Sequence, residues 1–213
     1  MIAEASRESL RTSGTLLAFA VAGTALLAFT FALTRPIIAK TEEAAKLALI
    51  GQVLPAKLYD NDLLRDAVEL APAPELGPLE AGQAYRARLK GQPAAVVLEA
   101  VAPDGYSGRI KLLIAIRADG ELAGVRVVAH RETPGLGDYI EAAKSDWIGG
   151  FRDKSLANPL PDNWKVKKDG GQFDYMAGAT ITPRAVVRAV RRALEYYGQN
   201  RERLFAPAAG GGK

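Results

Sequence analysis

An uninterrupted apolar segment near the N-terminus constrains this chain more than any other feature of its sequence. Gly14–Leu33 contains no charged residue and is flanked by Arg11 on one side and by Arg35-Pro36 on the other. As an α-helix, these twenty residues would extend about 30 Å, which is the thickness of the hydrocarbon core of a bilayer. The segment therefore predicts a single transmembrane helix, and the lipid bilayer is the first expected partner.

A cleavable signal peptide is the alternative interpretation of this segment. The apolar run is longer than the usual h-region, and Thr34-Arg35-Pro36 lacks the small-x-small pattern of a cleavage site. An uncleaved anchor is therefore favoured. Arg7 and Arg11 favour a cytoplasmic N-terminus, but Arg35 and Lys40 on the far flank weaken that bias.

Composition excludes several classes of site. The chain has 213 residues, a net charge of +4 and no cysteine. Because its basic residues are spread along the chain, no nucleic-acid partner is expected. The absence of cysteine excludes an iron–sulfur cluster or a zinc thiolate site built by this chain. No metal site is expected either, because the single histidine, His130, has no acidic neighbour in sequence and is interpreted as a surface or structural residue.

The region after the anchor combines helical and extended patterns. Ile37–Val53 mixes apolar and charged residues at helical spacing and predicts a second helix, which Pro55 ends. The proline-rich stretch Ala71–Pro78 predicts an extended connector. Residues 1–35 are thus assigned to the N-terminal tail and transmembrane anchor, and residues 36–80 to a helical and extended connector.

Four segments with strand patterns follow the connector. Tyr85–Lys90 alternates apolar and basic residues, which predicts one buried and one solvent-exposed face. Ala94–Val101 is almost continuously apolar and predicts a central strand. Arg109–Arg117 and Leu122–Ala129 are joined by the turn sequence Asp119-Gly120, which is typical of a hairpin. An antiparallel sheet is therefore expected.

The last third of the chain predicts a short hairpin and a long helix. Asp169-Gly170-Gly171 lies between Lys165–Lys167 and Phe173 and predicts the turn of the hairpin. Thr182 as N-cap and Pro183 as the first helical residue predict a helix start. The helix is expected to run to about Tyr197, with Gly198 closing it, and its apolar face consists of Val186, Val187, Val190, Leu194 and Tyr197.

These segments predict an α+β protein with one N-terminal transmembrane helix. Residues 81–205 are expected to form a globular domain in which helices pack on the antiparallel sheet. Residues 206–213 are rich in alanine and glycine and are interpreted as a flexible tail.

The loop before the last helix is the strongest candidate for a functional site. Gly178 and Ala179 place little side-chain bulk beside Thr180, so a large ligand can approach the backbone closely. The unpaired N–H groups at the start of the helix favour an anion, for which phosphate is the obvious candidate. The alternative is that Gly-Ala-Thr is merely a tight turn before a helix.

The same loop resembles the flavinylation signature of the FMN-binding domain family. That signature is usually Asp-x-x-Ser/Thr-Gly-Ala-Thr followed closely by Ser or Thr, and here it is matched by Asp174–Thr182, with Ala177 in place of the usual hydroxyl residue. In that family the last Thr of the signature is esterified to the phosphate of FMN. The resemblance therefore implies covalent FMN on Thr180.

A second stretch is similar to the same family. Glu132–Gly137 reads Glu-Thr-Pro-Gly-Leu-Gly, like a family loop near the flavin, and is followed by the aromatic segment Trp147–Phe151. Without the resemblance, Gly-x-Gly indicates a plain loop, and Trp147 and Phe151 indicate core packing. The resemblance implies as candidate cofactor contacts, beside Thr180, the residues Gly178, Ala179, Glu132, Thr133, Gly135, Leu136, Gly137 and Trp147.

The order of these features resembles one branch of the family, the RnfG flavoproteins of the Rnf electron-transport complex. The Asn61-Asp62-Leu63 sequence between the anchor and the sheet is similar to that branch. The resemblance implies a membrane-anchored flavoprotein that relays electrons in a translocase coupling ferredoxin/NAD electron transfer to ion movement, with no catalytic residue of its own. It implies a bacterial inner-membrane location with the domain on the periplasmic face. The implied partners are other membrane and iron–sulfur subunits of the complex and a flavin transferase.

Three alternatives remain open at this point. The chain is also similar to the NqrC flavoproteins of the sodium-translocating NADH:quinone reductase, which share the FMN-binding domain. A non-redox membrane assembly or scaffold protein would have the same fold with an unmodified threonine. A third class of protein would hold flavin reversibly.

Overall fold

The computed structural model describes residues 2–78 and 82–206. It divides the chain into two compact units, Met1–Lys46 and Leu47–Lys213. Most of the segment interpreted as a flexible tail, residues 207–213, lies outside the described residues, as does the expected start of the globular domain at residue 81.

A single helix, α1, spans Ile2–Val53 and contains Pro36. The prediction of a second helix beginning at Ile37 is therefore wrong. Proline removes one backbone hydrogen bond and crowds the preceding turn, but helix-forming residues continue on both sides of Pro36 and the helix carries on through it.

The middle of α1 carries the apolar segment. The region Ser13–Val53 is long and apolar enough to cross a membrane, with a mean hydropathy of 2.3 in its most apolar window. Thr15 and Thr30 donate their hydroxyl groups to carbonyl oxygens four residues earlier, at 2.8 and 2.9 Å, so these polar groups are satisfied without water. The prediction of an apolar N-terminal helix is confirmed. Its large apolar side chains are exposed in the described structure: Leu16, Leu17, Phe19, Val21, Leu26, Leu27, Phe29, Phe31 and Leu33.

The described part of the second unit contains a five-stranded antiparallel sheet in the order β1-β2-β3-β4-β5. The prediction of the α+β class is confirmed. The first strand escaped prediction because it has only four residues, of which one is buried. The strands are β1 Ala67–Leu70, β2 Gly82–Leu89, β3 Gln92–Gly105, β4 Gly108–Arg117 and β5 Leu122–Ala129.

Both faces of the sheet are covered. The apolar stripe of helix α2, Ile181–Phe205, is buried with one face, as its periodicity predicts. On the other face, Ile50, Val53 and Leu54 at the end of α1 pack with Leu63 and with sheet residues such as Tyr85 and Val97. The sheet therefore has a core on each side.

The prediction that one face of β2 is exposed to solvent is wrong. Arg86 is only 3% exposed, and its guanidinium group forms an ion pair with Asp66. It also donates to the carbonyl oxygen of Ala206, while Arg88 donates to that of Phe205 at 3.1 Å. The two arginines thus neutralise the C-terminal end of α2, which carries partial negative charge.

Helix α2 ends later than its sequence suggests. It passes through Gly198 and continues to Phe205, so the predicted end near Tyr197 is wrong. The added turns are held by the burial of Leu204 and by the arginines of β2. These tertiary contacts offset the roughly 1 kcal/mol that glycine costs in a helix interior.

The Asn-Asp-Leu sequence has a structural role. The side chain of Asn61 donates to the carbonyl oxygen of Arg86 at 2.9 Å and accepts the backbone N–H of Arg88 at 2.8 Å. It thereby hydrogen-bonds to the edge of β2 beyond the end of β1. Asp62 accepts the backbone N–H groups of Leu64 and Arg65, and Leu63 is buried in the core.

The hairpin predicted around Gly170 is replaced by a different turn. Lys167–Asp169 forms a short 3₁₀ helix, and Val166 bridges Phe173 in a parallel sense, so the prediction of an antiparallel hairpin is wrong. A Cβ atom on Gly171 would lie 2.0 Å from the carbonyl oxygen of Lys165, so the tight return requires glycine there.

Candidate functional site

A cavity of about 190 Å³ lies where three segments of the globular unit meet. The segments are the turn between β3 and β4, the loop that follows β5, and the entrance of α2. The structure brings together seven of the nine candidate contacts predicted from sequence, while Gly135 and Trp147 do not line the cavity. The lining residues are Tyr106, Glu132, Thr133, Leu136, Gly137, Gly178, Ala179, Thr180, Ile181 and Thr182.

Thr180 occupies the N-cap position of α2. It is 8% exposed, and its side chain makes no capping hydrogen bond. The hydroxyl oxygen of a threonine at this position ordinarily accepts a hydrogen bond from a backbone N–H of the first turn. In this chain that capping hydrogen bond is absent, so the hydroxyl of Thr180 does not bond to the first turn of α2.

The predicted N-cap is therefore wrong by two residues. The helix begins at Ile181, which places Thr182 and Pro183 inside its first turn. The hydroxyl of Thr182 is instead directed to the carboxylate of Glu132, to which it donates at 2.5 Å. Proline is tolerated there because the first-turn N–H groups have no partner within the helix.

Gly178 gives the loop its shape. Its φ of +86° lies in the left-handed region, and the N–H of Ala179 donates to the carbonyl oxygen of Met176 at 3.1 Å, closing a tight turn. A Cβ atom on Gly178 would meet nothing within 4 Å, so the backbone conformation, and not crowding, demands glycine. The turn delivers Thr180 to the cavity wall.

Glu132 is the buried centre of the site. It is 4% exposed, and its two carboxylate oxygens accept hydrogen bonds from different segments. Oε2 accepts the hydroxyl of Thr182, and Oε1 accepts the backbone N–H of Ser107 at 3.1 Å. One side chain thus joins the β3–β4 turn, its own loop and the first turn of α2.

The side chain of His130 forms a hydrogen bond with the backbone of Glu132. The N–H of Glu132 donates to Nδ1 of His130 at 2.9 Å, and Nε2 of His130 lies 2.7 Å from a carboxylate oxygen of Glu141. Nδ1 is therefore the acceptor nitrogen and Nε2 carries the proton. No group of three or more potential metal-ligating side chains occurs within residues 2–78 and 82–206.

Trp147 holds the start of the Thr180 loop. Its indole N–H donates to the carbonyl oxygen of Asp174 at 2.8 Å, and its ring packs edge-on against Tyr139 and Phe151. The hydroxyl of Tyr139 accepts the N–H of Met176 at 3.3 Å, and burial raises the pKa of this phenol. Tyr139 was missed in the sequence because no local pattern links it to a loop 37 residues away.

Large apolar side chains are exposed around Thr180. Tyr106 is 70% exposed, Leu136 48% and Ile181 45%, and all three line the cavity. Tyr175 and Met176 are exposed in the adjoining loop. Such a cluster marks a surface that a ligand or a partner covers.

The site fits the phosphate end of FMN. The N-terminus of a 25-residue helix supplies unpaired N–H groups beside the hydroxyl of Thr180, which is a favourable environment for a phosphate group. The cavity is smaller than a typical pocket of about 300 Å³ or more, so it encloses only part of such a ligand. The apolar rim provides a surface for a flat ring system.

Gly137→Ala is expected to disrupt this site. An added Cβ atom would lie 2.7 Å from Oε2 of Glu132 and 3.1 Å from the hydroxyl oxygen of Thr182. Because both contacts are buried, we expect a loss of about 1–3 kcal/mol in the free energy of unfolding, measured by urea denaturation of the full chain in detergent.

Gly149→Ala is the matched control for this prediction. A Cβ atom at Gly149 meets nothing within 4 Å, and its φ is not positive. The control is expected to change stability by less than about 0.5 kcal/mol. Equal effects of the two substitutions would contradict the assignment of close packing around Glu132.

Comparison with known proteins assigns both parts of the chain. Residues 105–195 match the model of the FMN-binding domain, and residues 1–53 match that of the RnfG N-terminal region. The first match contains every residue that lines the cavity.

Relatives named as the G component of an ion-translocating oxidoreductase complex align over nearly their whole length. The Pseudomonas aeruginosa (strain UCBPP-PA14) protein is 52% identical over 213 residues, covering 100% of this chain and 99% of the relative. The Vibrio atlanticus protein is 46% identical, covering 93% and 95%, and a Vibrio cholerae protein is 47% identical, covering 92% and 94%. These matches support the RnfG branch and not the NqrC branch. The chain therefore belongs to the RnfG family of the ion-translocating oxidoreductase complex, as an electron-transport flavoprotein with an FMN-binding domain.

Proposed function

We propose that this chain relays electrons through FMN joined to Thr180 by a phosphoester. One observation carries the proposal. Thr180 is an N-cap threonine whose hydroxyl makes no capping bond and which lines the cavity at the start of a long helix. A hydroxyl left out of helix capping beside unpaired N–H groups is suited to a phosphate link.

The residues of the site have distinct tasks in this proposal. FMN supplies the redox chemistry when it is bound. Thr180 provides the oxygen of the ester, and the first-turn N–H groups of α2 favour the negative phosphate. Gly178 sets the turn that presents Thr180 and keeps the approach to it open. Gly137, Leu136 and Thr133 form the opposite wall.

A covalent link is consistent with the proposed location. We place the globular unit on the periplasmic face of the bacterial inner membrane, with α1 as its anchor. A flavin that dissociated on the outer face of the membrane would be lost, and an ester to Thr180 prevents this loss. Attachment adds the mass of one FMN less one water and requires a separate flavin transferase.

The relatives are named as parts of an ion-translocating oxidoreductase complex, which supports a role for this chain beside other subunits. From the family resemblance, we further propose that these partners are membrane and iron–sulfur subunits and that the chain exchanges electrons with them during ferredoxin/NAD electron transfer. The exposed apolar side chains around Thr180 are available for contacts beyond the cavity.

Denaturation of protein purified from its native membrane tests the proposal. In a denaturing gel, we expect flavin fluorescence to stay with the polypeptide, because a phosphoester survives unfolding. Flavin that is present in the native protein but separates from the polypeptide on denaturation would instead indicate reversible binding. A native protein that contains no flavin would indicate a scaffold. Protein made in a foreign host without the transferase serves as the unloaded control.

A further inference from the structure

Glu132 is a buried carboxylate without a cationic partner. It is 4% exposed, and within the described ranges no lysine, arginine or histidine side chain forms an ion pair with it. Its two hydrogen-bond donors, the hydroxyl of Thr182 and the N–H of Ser107, are neutral. Burying a charge without an ionic partner costs desolvation free energy, so packing alone does not explain a carboxylate at this position.

The surrounding backbone is shaped to admit this carboxylate. A Cβ atom on Gly105 would lie 2.8 Å from Oε1, and one on Gly137 would lie 2.7 Å from Oε2. Only residues without a side chain fit at these two positions while Glu132 keeps its place. The carboxylate is therefore held in one position by two hydrogen bonds and two glycines.

The charge lies on the wall of the same cavity as Thr180. Neutral donors stabilise a carboxylate but leave its net charge in place, and in a buried site that charge is screened less than in water. Reduction adds negative charge to a flavin. A fixed negative charge nearby makes that addition less favourable.

On the basis of the proposed attachment of FMN to Thr180, we propose that Glu132 is a positioning residue that lowers the reduction potential of the bound flavin. It acts in two ways that can be separated. Its hydrogen bonds fix the first turn of α2 against the β3–β4 turn, and its charge sets the electrostatic potential at the cavity.

Glu132→Gln separates charge from shape. The amide oxygen can accept the N–H of Ser107, and the amide nitrogen can donate to the hydroxyl oxygen of Thr182, so both contacts persist without the charge. In a reductive titration with dithionite at pH 8 of the flavin-loaded full chain, we expect a midpoint potential more positive than that of the wild type.

Thr182→Val supplies the opposite test. This nearly isosteric change removes one donor and leaves the carboxylate, so its charge is less compensated and the midpoint potential is expected to become more negative. Glu195→Gln is the control, because it removes a half-buried carboxylate that is paired with Arg191. Glu195 lies thirteen residues beyond Thr182 along α2, about 20 Å away, so the control is expected to leave the potential unchanged.

Opposite shifts in the two variants support the proposal, because loosening of the site alone would move both in one direction. An unchanged potential in Glu132→Gln, shifts of the same sign, or a Glu132→Gln protein that takes up no flavin would each overturn it. A wild-type protein without covalent flavin contradicts the proposed function itself. Loaded wild type and variants with equal potentials contradict only the role of Glu132.

Discussion

Thr180→Val is expected to abolish covalent flavin in protein made in its native host. The substitution keeps the branched shape at the N-cap position but removes the oxygen that the proposed ester requires. Because Thr180 makes no capping hydrogen bond, helix α2 loses no side-chain contact of that kind, and the protein should remain folded. In-gel flavin fluorescence, normalised to protein, should fall to background.

Two variants make this prediction specific. Thr133→Val alters another threonine of the same cavity and should retain flavin, since its hydroxyl lies in a different loop. Thr180→Ser keeps a hydroxyl at the site and should retain at least part of the flavin. Equal fluorescence in Thr180→Val and the wild type would show that another residue carries the cofactor.

Asp66→Ala is expected to cause the largest loss of stability. It removes the carboxylate that pairs with Arg86, whose side chain is only 4% exposed, and with Arg88 at 2.8 Å. Removing one partner of a buried pair leaves an uncompensated charge and typically costs about 3–5 kcal/mol. The free energy of unfolding of the full chain in detergent, measured by urea titration of tryptophan fluorescence, should fall by this order.

Asp104→Ala is the matched control for this experiment. Asp104 pairs with Arg188 on the surface, where both side chains are about half exposed. Exposed ion pairs contribute about 0–1 kcal/mol, so the control should change little. A similarly small effect of Asp66→Ala would mean that solvent reaches Arg86 and that its pairing does not hold the end of α2.

Strong local patterns predicted much of the fold. The strand Leu122–Ala129 has the bounds expected from its alternation and from the Asp119-Gly120 turn. The apolar stripe of α2 is buried as its periodicity requires. In each case the signal lies within a few residues of the feature that it predicts.

The errors occur where distant residues override a local signal. Arg86 looks solvent-exposed in its strand, but Asp66 and Ala206, twenty and 120 positions away, bury it. The Thr182-Pro183 start signal is displaced because the hydroxyl of Thr182 is bound by Glu132, fifty positions earlier. No short window contains either pair, so pattern alone could not find them.

The candidate site shows the same division. The loop around Thr180 and the Glu132–Gly137 loop are recognisable as motifs, and the structure places both on one cavity. Their resemblance to a family could not show that Glu132 joins three segments. Nor could it show that Trp147 contacts the loop at Asp174, outside the cavity lining. The contact of Trp147 with the flavin stays a prediction.

Peptide mass spectrometry of the chain isolated from its own membrane tests the central claim most directly. We expect the peptide containing Thr180 to carry the added mass of one FMN less one water, with fragment ions placing the modification on that threonine. An unmodified Thr180 in every such peptide, from a protein that is colourless or that loses its flavin on denaturation, would contradict it.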